Sequence, residues 1–183
     1  MGISENHPLR QLFRSLVERR FFGDAQVGDR EIANYVSNLL VEFTHTSNLY
    51  KIRNARGKRL EDVGEMLLAS NPLFEGRSFD YERAVRKHIG DYTLFLSGLF
   101  PEYVASLPRR GLRLDAFIDY VKAGKESYRI VSTFDLFEYA HEAPLFRKLA
   151  NSFELCVFGL NLVKRDLEEL ERSYYQGLRR ILA

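Results

Sequence analysis

Six side chains in this sequence have the types and the spacing to hold a metal ion. Glu42 stands three residues before His45 in Glu42-Phe43-Thr44-His45, and Glu138 three before His141 in Glu138-Tyr139-Ala140-His141. His88 and Asp91 repeat the spacing in the reverse order, in His88-Ile89-Gly90-Asp91. Residues three apart on a helix share a face, so both side chains of a pair can reach one ion. A carboxylate beside an imidazole suits iron, manganese or zinc. Glu42, His45, His88, Asp91, Glu138 and His141 are therefore the candidate ligands.

A Glu-x-x-His pair from each of two helices, with a carboxylate from each of two others, resembles the ligand set of ferritin-like dimetal bundles. With iron or manganese, that resemblance implies an oxidoreductase that activates dioxygen or a peroxide, with Tyr92 or Tyr139 nearby. Helical-wheel positions sort the six residues. His88 falls in an apolar sector with Val85, Tyr92 and Phe95, and Asp91 sits at its edge. Glu138 and His141 fall among Val131, Phe134 and Phe137, where a buried glutamate needs a partner. Glu42 and His45 lie off their helix's apolar stripe with Glu31, Tyr35 and Asn38, the pattern of a solvated face.

A different chemistry attaches to Arg83 and His88, which have four residues between them. The pair resembles the R-x(4–6)-H element of the all-helical HEPN ribonucleases, with Ala84 where that family carries a polar residue. The resemblance implies that Arg83 holds phosphate and His88 assists attack by a 2′-hydroxyl. Other signals are missing: no phosphate-binding G-x-x-x-x-G-K-[ST] loop, no G-x-G-x-x-G after a strand and no G-x-S-x-G elbow. Cys156, the single cysteine, sits in an apolar stripe and reads as a small core residue. The basic stretch Lys51, Arg53, Arg56, Lys58 and Arg59 beside Tyr50 reads as a solvated loop near a helix end.

These residues are positioned by a helical pattern that runs through most of the chain. Pro8 opens a helix that ends at Gly23, and Asp29 caps another over about 30–49. A loop, a short helix over about 61–70 and a link through Asn71-Pro72 follow. Helices are expected over 79–99, from Pro101 to about Leu107, and from Leu114 to about Glu142, the last with a bend near Gly124. Pro108-Arg109-Arg110-Gly111 reads as a turn. From Pro144, Leu145, Leu149, Phe153, Cys156, Leu160, Val163, Leu167, Leu170 and Tyr174 make one near-heptad stripe. Most of that stripe reads as bundle core, and its charged end, 164–180, offers a dimer contact. Gly90 and Gly98 would let another helix approach closely.

The 183 residues are 45% hydrophobic and 28% charged, which excludes a disordered chain or a disulfide-stapled mini-protein. A net charge of +2 gives no strong field for nucleic acid. No run of apolar residues is long enough to span a membrane, and a lone cysteine suits a reducing compartment, so the expected location is cytoplasmic. The expected fold is all-α, an antiparallel bundle of about four main helices plus short ones, in one domain over 1–183 with a tail at 1–7. Two function classes oppose the metal bundle. One is a non-enzymatic helical interaction or regulatory module, with a protein partner or as a homodimer. The other is an apolar ligand pocket lined by Phe and Tyr.

Overall fold

The computed structural model describes residues 7–54, 56–71, 78–107 and 116–182. Among them it has nine α-helices and no strand: α1 (Pro8–Phe22), α2 (Arg30–Phe43), α3 (Thr46–Leu49), α4 (Val63–Ala69), α5 (Phe79–Leu99), α6 (Pro101–Ser106), α7 (Ala116–Val131), α8 (Ala143–Asn151) and α9 (Phe153–Leu182). The all-α fold read from periodicity is the fold observed. The expected turn at 108–111 and residues 1–6 of the expected tail lie outside the described residues. No helix among the described residues is long and apolar enough to cross a membrane.

Side chains at the helix starts take up backbone donors that the helices leave free. Asp29 accepts from the Glu31 and Ile32 N–H groups at 2.8 and 3.3 Å, and Ser78 accepts from the Tyr81 N–H at 3.2 Å. His7 Nδ1 accepts from the Leu9 N–H at 3.2 Å, ahead of Pro8 at the first helical position.

The middle of the molecule is α5. Every residue from His88 to Leu99 is buried, on all sides of the helix, including Asp91, Thr93 and Ser97. A helix buried all round must be covered by several neighbours. Here α7 and α9 flank it, and α2, α4 and α6 cover the rest. Glycines permit the close approach. A Cβ at Gly90 would run into the Tyr128 ring, and one at Gly98 would lie 2.5 Å from the Leu160 Cβ. The close-packing role expected of both glycines is what the structure shows.

Three expected helices are shorter than their patterns. The second ends at Phe43, where the Thr44 hydroxyl donates back to the Val41 carbonyl at 2.6 Å, and His45 is extended ahead of α3. The pattern expected over 114–142 stops at Val131. There the Ser132 and Thr133 hydroxyls donate to the Arg129 and Ile130 carbonyls, each at 2.7 Å, a local bonding that competes with the helix ladder. Phe137 then takes a φ of +53°, which no α-helix accommodates, and opens a 3-10 turn, Phe137–Tyr139. The pattern from Pro144 is split at Ser152 into α8 and α9. The stripe residues Leu149, Phe153, Cys156, Leu160 and Val163 are nonetheless all fully buried.

Candidate functional site

The chemistry-bearing residues fall into an interior cluster on α5 and a scattered exposed set. Asp91 is the centre of the cluster and is completely buried. Its Oδ1 accepts from the Tyr35 hydroxyl of α2 at 2.5 Å and from the Tyr128 hydroxyl of α7 at 2.7 Å. Its Oδ2 accepts from Lys87 Nζ at 2.9 Å, one helical turn back on α5. The Tyr35 and Tyr128 rings both lie 5.6 Å from the Phe146 ring of α8, so four helices meet here.

The electrostatics follow from burial around one carboxylate. Burial, then the neighbouring Asp91 charge, pushes the Tyr35 and Tyr128 phenols well above their ordinary values, so both stay neutral donors. Burial pulls Lys87 down, but the charge and hydrogen bond of Asp91 outweigh it and hold the ammonium above its usual range. Three donors therefore occupy Asp91. This arrangement ties α2, α5 and α7 together through one carboxylate.

His88 is also buried, three residues before Asp91 on α5, but its direct contacts are different. Its Nε2 donates to the Leu49 carbonyl at 3.1 Å, and its ring lies 5.9 Å from Phe43 and 6.0 Å from Tyr92. A carbonyl only accepts, so the proton is on Nε2 and the buried Nδ1 is left without a partner. Burial lowers the imidazole to about 4 despite the opposing pull of Asp91, and the ring is neutral at ordinary pH.

Arg83, five residues earlier, lies toward the Asp91 cluster rather than His88's contacts, its guanidinium 5.8 Å from the Phe146 ring. It donates to Glu142 Oε2 at 2.5 Å, and its guanidinium stacks 3.9 Å from the centre of the Tyr139 ring. The two residues of the ribonuclease-like pair thus contact different surroundings, Glu142 and Tyr139 for one, Leu49 and Phe43 for the other.

The remaining expected ligands are on the surface. Glu42 lies in the last turn of α2 and His45 beyond its end, so the pair is not carried on one helix, and both are exposed. Glu138 and His141 sit in the 3-10 turn and the turns after it, also exposed, rather than among the core residues of a longer helix. His141 has 77% of its side-chain surface open, with Nε2 4.0 Å from Glu142. Of the six, only His88 and Asp91 are interior. Among the described residues, no group of three or more His, Cys, Asp or Glu is placed to hold a metal ion.

Three partners in the Asp91 cluster were absent from the sequence-based set. Lys87 had a local signal, its i to i+4 spacing to Asp91. Tyr35 and Tyr128 had none, since they lie 56 and 37 residues from Asp91 in the chain.

A second candidate is the outer part of α9. Its inner turns are core: Leu160 and Val163 are fully buried, and the Asn161 side-chain amide donates to the Ser97 and Gly98 carbonyls at 3.1 and 2.6 Å. Asp166 is the last buried residue among the side chains described, gripped by Arg20 of α1 at 2.7 and 2.5 Å. Beyond half-buried Leu167, each side chain described is exposed: Glu168 to Tyr174, Gln176 and Arg180. The apolar stripe continues onto this arm, with Leu170 49% and Tyr174 69% exposed. No protein-family model, curated protein or solved structure matches this chain.

Proposed function

We propose that this protein is a non-enzymatic helical interaction module whose working surface is the free arm of α9. The observation that carries the reading is the continuation of the Leu160, Val163, Leu167, Leu170, Tyr174 stripe past the last residue that the body covers. Spacings of three and four in alternation are those of a coiled-coil seam, and a seam exists to meet another helix. Fifteen residues, 168–182, extend about 22 Å at the helical rise, long enough for four turns of contact.

The interior supports the same reading. Two interior charged groups are spent on their neighbours: Asp91 on Lys87, Tyr35 and Tyr128, and Arg83 on Glu142 and Tyr139. The Cys156 thiol is buried and pushed up to about 12, which makes it a poor nucleophile. The carboxylate–histidine metal reading and the ribonuclease reading have no comparable support, because their residues are dispersed or face apart.

Truncation after Leu167 tests the proposal. An arm built for a partner contributes nothing to the body, so the shortened chain should keep its helical circular dichroism and melt within about 2 °C of the full chain. A fall of about 10 °C or more would make the arm part of the core and overturn the reading.

A further inference from the structure

We infer that the basic segment over 51–60 is a second binding surface, one that holds the phosphates of a single-stranded nucleic acid. It is independent of the α9 arm.

The stretch expected to be a plain solvated loop is a tight hairpin closed by one β-bridge, Arg53 opposite Arg59. The Asn54 N–H donates to the Lys58 carbonyl and the Leu60 N–H to the Ile52 carbonyl, each at 2.9 Å. Bonds placed one residue to either side make Arg53 and Arg59 a non-hydrogen-bonded pair, the kind whose side chains come closest. Ile52 and Leu60 alternate to the other face and are buried. The turn is tied down at several points. Asn54 Oδ1 accepts from the Arg56 and Lys58 N–H groups, each at 3.0 Å, and Gly57 supplies a φ of +77°. The Tyr81 hydroxyl of α5 donates to the Arg53 carbonyl at 3.0 Å.

Two arginines set opposite each other repel, a cost that an anion between them would offset. The chain supplies none. Among the described residues, no carboxylate lies within ion-pair distance of Lys51, Arg53, Arg56 or Arg59. Arg53 Nη1 donates to the Gly57 carbonyl at 2.9 Å, which holds the guanidinium without neutralising it. Glu61, Asp62 and Glu65 line a cleft with Lys58 and Arg59, yet only Lys58 is paired, to Glu65 at 3.6 Å. Lys51 to Arg59 thus contains five cations and no acid, in a chain whose overall charge is only +2. The four unpaired cations are all exposed. A phosphate, with oxygens for two guanidinium groups at once, is the anion that fits between them.

The neighbouring side chains select the class of partner. Tyr50 directly precedes Lys51 and is half-buried, its ring 6.3 Å from that of Tyr92. Burial, then the nearby Tyr103 phenol and Glu61, raise the Tyr50 phenol above its ordinary value, so it adds no negative charge. Tyr103 of α6 is 48% exposed. Aromatic rings beside a basic strip give bases a surface to stack on, which an acidic peptide or a lipid headgroup does not need. The hairpin's apolar side chains, Ile52 and Leu60, are turned inward, so none is left to enter a bilayer.

Fluorescence anisotropy of the full chain with a labelled RNA single strand of about 12 nucleotides tests this. The expected Kd lies between about 1 and about 100 μM at about 0.1 M salt. Arg59→Gln should weaken binding about fivefold and flatten the slope of log affinity against log salt by about 0.7, the share of one phosphate contact. The same substitution should leave the thermal midpoint unchanged or raised, because it removes a like-charged pair. Tyr103→Ala should weaken binding about fivefold through lost stacking. Arg30→Gln, an exposed site at the opposite end of α2 from the hairpin, should change it less than about twofold. No binding at about 100 μM protein overturns the inference. So does an equal loss in Arg30→Gln and Arg59→Gln, the result expected of general attraction to a cationic surface. Binding to polyglutamate or to phosphatidylserine vesicles as tight as to RNA, with Tyr103→Ala neutral, would assign the hairpin to another class of partner and overturn it as well.

Discussion

The cluster around Asp91 and the outer arm of α9 use similar residues in opposite ways. In the cluster, a carboxylate, an ammonium and two phenols meet between four helices, and each is a donor or acceptor to another. On the arm, the glutamates, arginines, leucine and tyrosine whose side chains are described beyond Leu167 stand in solvent. The difference shows where binding capacity remains. A buried network whose members bond to one another specifies helix register. An apolar seam flanked by ordered charges still has its contacts to make. Perturbing the two regions should therefore give effects of very different size.

The largest effect is expected from Asp91→Ala. It leaves the fully buried Tyr128 hydroxyl and the partly buried Tyr35 hydroxyl and Lys87 ammonium without their shared acceptor. Removing one partner of a buried charge pair costs about 3–5 kcal/mol. Urea unfolding followed by circular dichroism measures it, and a loss below about 1 kcal/mol would mean that the network contributes little to holding the helices.

Next comes the pH dependence set by His88. Its folded value of about 4 lies below the 6.5 of a free imidazole. Between those two values the unfolded chain binds a proton that the folded chain does not, so stability declines as pH falls from about 6.5 and levels off near 4. The fall amounts to at most about 3 kcal/mol. His88→Gln should remove this component, and the difference between the two stability curves across that range isolates it. A flat difference would show that the imidazole is accessible to protons in the folded state.

Gly90→Ala should rank third. The added methyl meets the Tyr128 ring, which packs directly on α5 and also donates to Asp91. Overfilling a packed site costs about 1–3 kcal/mol, and here it also misplaces a hydroxyl of the network. Combined with Tyr128→Phe the two losses should sum to less than their separate values, since each disturbs the same contact.

Much of this architecture could be read from sequence because its signals are local. Pro8, Asp29, Ser78 and Pro101 all mark observed helix starts, and 79–99 is the observed extent of α5. The interior position of His88 was legible for the same reason, since Val85, Tyr92 and Phe95 surround it on the wheel. Asp91 was placed at an edge and is at the centre, because its enclosure depends on α2 and α7, which local periodicity does not contain. Glu138 and His141 went astray for a related reason. Phe134 and Phe137 continue the helical spacing of Val131, so the pattern runs through a segment that is in fact a turn. The contrary signals were Ser132, Thr133 and Asp135, three residues whose side chains favour bonding to nearby backbone. The same competition at Thr44 separates Glu42 from His45.

The smallest effect, and the one that most sharpens the contrast, is expected from Leu170→Glu. In a core, a leucine replaced by a charge is ruinous, and Leu160 lies only ten residues earlier on the same stripe of the same helix. Leu160 is fully buried against Gly98, whereas Leu170 has about half of its surface in water. At concentrations too low for association, Leu170→Glu should therefore leave the unfolding free energy within about 0.5 kcal/mol of the original. Leu160→Glu in the same experiment should fail to fold. Raising the concentration adds a second readout. Whatever binds only the folded state stabilises it by mass action, so a thermal midpoint that climbs with concentration in the original and not in Leu170→Glu would make a second copy the partner of the seam. A midpoint independent of concentration in both would mean that the exposed seam carries no self-association, and one sensitive to concentration in both would place the contact elsewhere on the surface.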